Sequence, residues 1–408
     1  MRRLDLTWSP EEESFREEVR SWLAANLPKR FGGKEDGTEE LEGDDNSSFE
    51  ARREWQRTLG EAGYLAMHWP KEYGGGGRSL VEQVIFNEEY AKARAPQPVN
   101  GLGLSLVGPT LITHGTDAQK DRFLRKILTA EEIWCQGYSE PNAGSDLAGL
   151  QTKAELVGDE FIINGQKIWT SSARWGDWIF VLCRTNPEAP KHQGISYILC
   201  PMDQPGVEVR PIKQITGTSG FGEVFFTNAR TPRSNLVGDL NDGWRVAMTT
   251  LMFERGGNVM ATAVRFRRLM AGLRELAEGV KRNGGRAIDD PIVRQQLGRR
   301  LVEVEIMRHN GERAISPRLH GEPPGPESSM GKLYWSEWYR RATDNAMEIL
   351  GPQGLRLDGA EASDGYGSQR WLTEYLAARA GTIYTGTSEI QRNILAERVL
   401  GLPRGGRN

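Results

Sequence analysis

Apolar positions recur with two different periods along this 408-residue chain, and the changes of period divide it into three parts. From Ser9 to about residue 130 the spacing is helical. In "SPEEESFREEVRSWLAANL", Ser9 stands as N-cap, Pro10 at the first helical position, and Glu12 completes a capping box. Phe15, Val19, Trp22 and Leu23 follow along one face. Helical spacing resumes over Phe49–Ala62 and Ser79–Ala91, with "YGGGG" (Tyr73–Gly77) as the break between them. The segment Lys34–Ser48 is acidic and nearly free of apolar residues, which predicts a mobile surface loop. From about Cys135 to Asp239 the period falls to two. In "ELVGDEFIINGQKIWTSS" the dipeptides Gly158-Asp159 and Asn164-Gly165 predict tight hairpins between alternating strands. The segments "DWIFVLCRT", "GISYILCPM", "VEVRPI" and "GEVFFTNARTP" continue as short strands. From Gly243 the helical period returns, broken at Gly256-Gly257, and four further helical segments carry it to the end. The pattern predicts a multidomain α+β protein: an N-terminal helical domain (1–130), a middle β-barrel or β-sandwich domain (131–242) and a C-terminal four-helix bundle (243–408).

Composition removes several function classes. Lys+Arg 52 against Asp+Glu 55 argues against bulk binding of nucleic acid while leaving room for a local phosphate pocket. No apolar run approaches the ~20 residues that span a bilayer, and the N-terminus "MRRLDLTWSPEEESF" has no apolar signal core. A cytoplasmic protein that engages no membrane is the expectation. The three cysteines (Cys135, Cys183, Cys200) make no disulfide framework, and the five histidines show no metal-ligand spacing. Buried free thiols and no metal site are expected, so demanding redox chemistry would require an organic cofactor.

Three segments carry candidate chemistry. "YSEPNAGSDLAGLQTKA" opens the β region with hydroxyls at Ser139 and Ser145 among turn-forming Pro141, Asn142 and Gly144. Such a loop can present amides and hydroxyls to a heterocycle or phosphate, or serve as a solvated connector. In "KIWTSSARWGDW", Trp169 precedes Thr170, Ser171 and Ser172; a flat aromatic beside hydroxyls suits stacking on a planar cofactor, and equally suits a core. "TIYTGTSEIQRN" places a tyrosine–glycine turn immediately before a helix.

Together these segments resemble the acyl-CoA dehydrogenase family. "SEPNAGSD" is similar to its T/S-E-P-x-A-G-S-D loop, "IWTSS" to its flavin-edge segment, "YTGTSEIQRNILA" to its C-terminal Tyr-x-Gly-Thr-x-x-Ile-Gln, and "PKEYGG" (Pro70–Gly75) to its N-terminal turn. The resemblance spans nearly the whole chain in α–β–α order. It implies FAD-dependent α,β-dehydrogenation of an acyl-CoA thioester, as in fatty-acid β-oxidation, with electrons passed to an electron-transferring flavoprotein. It implies that Tyr138, Ser139, Gly144 and Ser145 hold the flavin and its phosphates, that Trp169, Thr170 and Ser171 cover its face and edge, and that Thr387 and Glu389 contact FAD. It implies FAD between the β domain and the bundle, its adenosine end reaching a neighbouring subunit, in a homotetramer or homodimer. Two departures stand out. The family's Arg-x-x-Phe-Gly, whose arginine reaches a flavin phosphate across the subunit boundary, reads "RAIDDP": Arg286 remains, but Asp289-Asp290 replaces Phe-Gly. The adenine-side Gln-x-x-Gly-Gly reads "EILGP", retaining Gly351.

Removing an α-proton from a thioester requires a base. Many members carry a glutamate where this chain has Thr385, which cannot serve at neutral pH. The branch resembling isovaleryl- and long-chain acyl-CoA dehydrogenases places its glutamate on the first long bundle helix before an arginine, and here "TLMFERGG" offers Glu254 followed by Arg255. Glu254 is the candidate base, its apolar neighbours Leu251, Met252 and Phe253 favouring a raised pKa; a carboxylate on the helix surface is the plain alternative. Thr385 retains a role through its backbone N–H, which with a flavin ribityl hydroxyl would polarise the thioester carbonyl. Arg255, Ser145, Thr385 and Gly386 are expected to border the acyl-CoA. The family's aspartate two residues before the base is Met252 here. Gly256, Gly257 and the acidic loop hint at room for a bulky acyl group, and the resemblance is closest to actinobacterial members, some of which act on branched or sterol-derived thioesters. Rival readings are an acyl-CoA oxidase or flavin monooxygenase of the same superfamily, and a subunit that completes its site only in a heterotetramer.

Overall fold

The computed structural model describes residues 8–31, 46–254, 259–282, 284–319, 325–326, 328–355 and 368–403. Eleven helices are described: α1 (Pro10–Asn26), α2 (Asn46–Glu61), α3 (Leu80–Lys92), α4 (Gly108–His114), α5 (Asp117–Leu128), α6 (Gly243–Glu254), α7 (Val259–Gly279), α8 (Pro291–Leu319), α9 (Ser328–Leu350), α10 (Ser368–Gly381) and α11 (Ser388–Ile394). The strands are β1 (Trp134–Gly137), β2 (Lys153–Val157), β3 (Glu160–Ser171), β4 (Trp178–Arg184), β5 (Ile195–Pro201), β6 (Val207–Ile212), β7 (Phe221–Pro232), β8 (Leu236–Val237), β9 (Lys281–Arg282) and β10 (Gly285–Arg286).

The elements gather into two compact units. One contains α1, α3 and α7 to α11; the other contains α2, α4 to α6 and the large sheet. This partition divides the helical N-terminal region between the two units. A charge network links α1 to α3. Arg16 Nη1 donates to Glu88 Oε2 and Glu89 Oε1, both at 2.8 Å, while Arg20 Nε and Lys92 Nζ donate to Glu89 at 3.1 and 2.7 Å. Burial alone raises a carboxyl's pKa, but the bonds from Lys92, Arg16 and Arg20 outweigh it and hold Glu89 at about 2. A depressed folded-state pKa gives stability that is complete above the unfolded value near 4.5 and is lost as pH falls toward 2. We therefore expect the unit that holds α1 and α3 to lose about 3 kcal/mol across that window, and Glu89→Gln to flatten this loss in an acid titration followed by circular dichroism.

In the same unit α7, α8, α9 and α10 pack as the predicted bundle around Phe266, Leu273, Val304, Trp338, Ala342 and Trp371. Trp338 Nε1 donates to the Arg300 carbonyl at 3.0 Å, and Arg268 Nη1 on α7 caps the Ala91 carbonyl of α3 at 2.9 Å. The Ser9–Glu12 capping box forms as read from the sequence.

In the other unit eight strands run in the order β6-β7-β3-β2-β4-β5-β8, with β1 parallel to β4. Among the described residues no pairing joins β6 to β8. The core is Phe161, Ile163, Ile179, Val181, Ile198, Val224 and Phe226, together with the buried free thiols of Cys135, Cys183 and Cys200. Burial pushes the Cys183 and Cys200 thiols up to about 12. Gly158-Asp159 makes the expected turn between β2 and β3. Asn164-Gly165 does not: it is a bulge inside β3, where the register to β7 slips between Ile163 and Gly165. Gly165 has φ +150, and a Cβ there would stand 2.6 Å from Thr152 Oγ1, so close backbone approach explains the glycine. Gln119 Nε2 on α5 donates to the Ser234 and Leu236 carbonyls, and the hydroxyls of Thr110 (α4) and Thr250 (α6) meet at 2.9 Å; these bonds fasten the helices to the sheet and to each other. Among the described residues no helix is long and apolar enough to cross a membrane.

Candidate active site

In the sheet unit the candidate residues are arranged by β3. Strict alternation from Phe161 and Ile163 through Lys167 would turn Trp169 inward. A second register slip lies between Lys167 and Thr170, and Trp169 takes a left-handed backbone, φ 59. The bulge throws the indole outward, 56% exposed, in a T-shaped contact with Phe221 at 6.1 Å between ring centres. It also turns Thr170 inward: that side chain is fully buried, and its hydroxyl has no partner among the described residues. Thr170, expected with Trp169 and Ser171 around the flavin, thus faces the interior, whereas Ser171 is half-buried.

Tyr138 also differs from expectation. Its ring is buried edge-on against Phe180 and Tyr197, so it builds the core. Behind it lies a cluster that sequence reading missed. The ammonium of Lys167, fully buried, donates to the Tyr138 carbonyl at 3.2 Å and to Glu140 Oε1 at 2.8 Å. The Glu140 carboxylate also accepts the amides of Gln151 at 2.6 Å and Thr152 at 2.8 Å. Desolvation pulls the Lys167 pKa down and opposes ionisation of Glu140, but the attraction of Lys167 and the amide bonds keep Glu140 below the usual carboxylate range. A lysine on the inward face of a strand was the available signal.

Glu140 also pairs with Ala143 through both backbone bonds, closing a tight turn over Pro141 and Asn142. Beyond it Gly144, Ser145 and Asp146 are exposed, with Asp146 paired to Lys191. No atom lies within 4 Å of where a Gly144 Cβ would stand. Ser139 is half-buried, and its carbonyl accepts the Ile168 amide at 2.9 Å, which locks the loop to the strand one residue before Trp169. An outward indole beside an exposed, clamped loop suits a planar ring with a polar tail.

The α6 helix buries Gly243, Val246, Ala247 and Thr250. Position 254 is its last residue. The apolar run expected to surround it spreads around the helix instead, with Met252 51% exposed. The side chain of Glu254, and all of Arg255, Gly256 and Gly257, lie outside the described residues, as does the acidic segment up to residue 45; its last residues, Asn46 to Ser48, read from the sequence as loop, instead open α2.

In the bundle unit, Thr387 is the N-cap of α11, its hydroxyl accepting the Ile390 amide at 3.2 Å. Glu389 is exposed in the first turn, where its own backbone amide and the Thr387 hydroxyl lower its pKa. Thr385 is exposed and Gly386 half-exposed, both with left-handed backbones, φ 51 and 87. Gly351 follows α9, also left-handed at φ 57. Arg286 is engaged: Asp289 takes its Nε at 3.0 Å, its Nη2 at 2.9 Å and its backbone amide at 3.2 Å. The substituted aspartate thus neutralises within the chain the arginine that the resemblance assigned to a flavin phosphate.

Comparison with known proteins agrees with this picture along the full chain. Three family models match: acyl-CoA dehydrogenase N-terminal domain over residues 9–131, middle domain over 135–229 and C-terminal domain over 241–400. Acyl-CoA dehydrogenase IpdE1 of Mycolicibacterium smegmatis is 47% identical over 410 residues, covering 97% of this chain and 98% of that protein. Among solved structures, the Tcur3481-Tcur3483 steroid ACAD has a TM-score of 0.83 at 33% identity, covering 98% of this chain and 100% of the other. The ChsE4-ChsE5 complex of Mycobacterium tuberculosis gives 0.82 at 32% identity with the same coverage. The chain belongs to the acyl-CoA dehydrogenase family and is an FAD-dependent oxidoreductase acting on CH–CH bonds.

Proposed function

We propose that this chain is one subunit of a heteromeric dehydrogenase that desaturates a steroid-derived acyl-CoA thioester between its α- and β-carbons. In this reading Glu254 takes the α-proton. The N–H of Thr385 donates to the thioester carbonyl as negative charge develops on its oxygen, and Gly386, Ser145 and Arg255 border the acyl-CoA. Bound FAD supplies the two-electron acceptor for the β-hydride at N5, and electrons pass on to an electron-transferring flavoprotein. Trp169 offers the flavin a flat face, Ser171 a hydroxyl at its edge, and the clamped loop with Ser139, Gly144 and Ser145 offers amides and hydroxyls to its polar tail. Thr387, Glu389 and Gly351 contribute from the bundle unit. The reaction is placed in the cytoplasm.

The observation that carries the heteromeric reading is the Arg286–Asp289 pair. A chain that neutralises its own trans-acting arginine is poorly equipped to complete the flavin site of an identical copy. The two-chain names of its structural neighbours support the same reading, and the word steroid in one of them supports the substrate class.

The test is to purify the chain alone and co-expressed with a second acyl-CoA dehydrogenase subunit from the same source, measure FAD per chain and mass by light scattering, and titrate anaerobically with acyl-CoAs. The reading expects a flavin-poor single chain and a yellow two-chain complex bleached by a steroid-derived thioester. A yellow homotetramer bleached by straight-chain acyl-CoA would overturn both subunit and substrate assignments.

A further inference from the structure

The turn before α11 is held in a conformation that helix capping does not require. Thr385 and Gly386 are successive left-handed residues, at φ 51 and 87. For a β-branched residue that backbone is an outlier costing about 1–3 kcal/mol, which persists only where surrounding contacts impose it. The imposing contact is Gln391. Its side chain, 1% exposed, reaches back from α11, and Nε2 donates to the Thr385 carbonyl at 3.0 Å and the Gly386 carbonyl at 3.4 Å. A Cβ on Gly386 would stand 2.7 Å from that nitrogen, so glycine is required there by space as well as by φ.

Gln391 is itself fixed. Its amide donates to the Thr387 carbonyl at 2.9 Å, and the neighbouring Ser388 bonds Glu337 on α9 through its hydroxyl at 2.9 Å and the Thr382 carbonyl through its amide at 3.0 Å. Only the donor end of the carboxamide is used; Oε1 has no partner among the described residues. In a trans peptide the carbonyl and the N–H point opposite ways. Holding the Thr385 carbonyl on Gln391 therefore turns the Gly386 N–H away from α11, and neither the Thr385 nor the Gly386 N–H has a partner among the described residues.

We propose that Gln391 is a positioning residue for the reaction: by gripping the Thr385 and Gly386 carbonyls from behind, it holds Thr385 in its left-handed backbone and so fixes the direction of the Thr385 N–H, while the peptide it grips turns the Gly386 N–H outward. The inference rests on the reading that the Thr385 amide donates to the substrate carbonyl.

The test isolates proton removal from oxidation. The holoenzyme is given a thioester with sulfur in place of its β-carbon, which can lose an α-proton but no β-hydride, and α-proton exchange in heavy water is followed by mass spectrometry. Gln391→Leu is expected to slow exchange about 100-fold, the scale of a misplaced group, while the dissociation constant of the thioester stays at the parental value. Gln391→Glu is expected to exchange slowly at high pH, where the carboxylate has no donor, and faster at low pH, where the protonated acid can again donate to the Thr385 carbonyl. That pH signature is foreign to a purely structural role. Parental exchange in Gln391→Leu overturns the proposal. Should that variant not fold, pH-independent parental exchange in Gln391→Glu overturns it. Glu254→Gln serves as the control on the underlying reading: if it exchanges at the parental rate, the base assignment fails while the Gln391 variants still decide the role of the turn.

Discussion

Glu254→Gln in the holoenzyme complex is expected to stay yellow, bind acyl-CoA and resist bleaching, with the rate of flavin reduction down by about 10⁴-fold, the upper end for loss of a positioned general base. Glutamine keeps the shape of glutamate and cannot accept the α-proton. The α6 helix, which ends at Glu254, is fixed through Val246, Ala247 and Thr250, the last joined to Thr110 at 2.9 Å. Thr385, at the position where other members carry the base, has neither a basic group nor the right-handed backbone of an ordinary helix end. Stopped-flow reduction separates the outcomes: unchanged reduction sinks the assignment, and a colourless protein would move Glu254 from catalysis to flavin binding.

Local chemistry was legible in the sequence, and long-range consequences were not. The Ser9–Glu12 capping box and the Gly158-Asp159 turn depend on residues three or fewer apart, and both form as read. Asn164-Gly165 has equally good turn chemistry but becomes a bulge, because what decides it is the approach of Thr152 from β2. Trp169 shows the same limit. Its composition left a flavin platform and a core residue equally open, and the register slip against β7 settles its outward direction. The pairing of α1 with α3 turned on Arg16 and Glu89, 73 residues apart. The departure at Asp289 was visible as a missing motif, but only the folded hairpin shows that it captures Arg286. Gln391 stood inside a quoted motif with no role, because its partners are backbone carbonyls, which a sequence does not display.

The largest effect on stability is expected from Lys167→Met. The side chain is fully buried, and its loss leaves the Glu140 carboxylate at 8% exposure without a counter-charge. Removing one partner of such a pair typically costs about 3–5 kcal/mol, because the remaining charge stays desolvated. The Gln151 and Thr152 amides still bond Glu140, which argues for the lower half of that range. In a unit of this size each kcal/mol lowers the melting temperature by about 2–4 °C, so a drop near 10 °C is expected by calorimetry. Adding Glu140→Gln to Lys167→Met should recover part of it, since a neutral amide tolerates burial better than a carboxylate. The pair also ties Tyr138 to Gln151 across the exposed Gly144–Asp146 segment, so the single variant should retain FAD poorly even below its melting temperature. A melting temperature within the error of the parent would mean that Glu140 takes up a proton, or finds water, at little cost. The loop would then be held by its backbone turn alone.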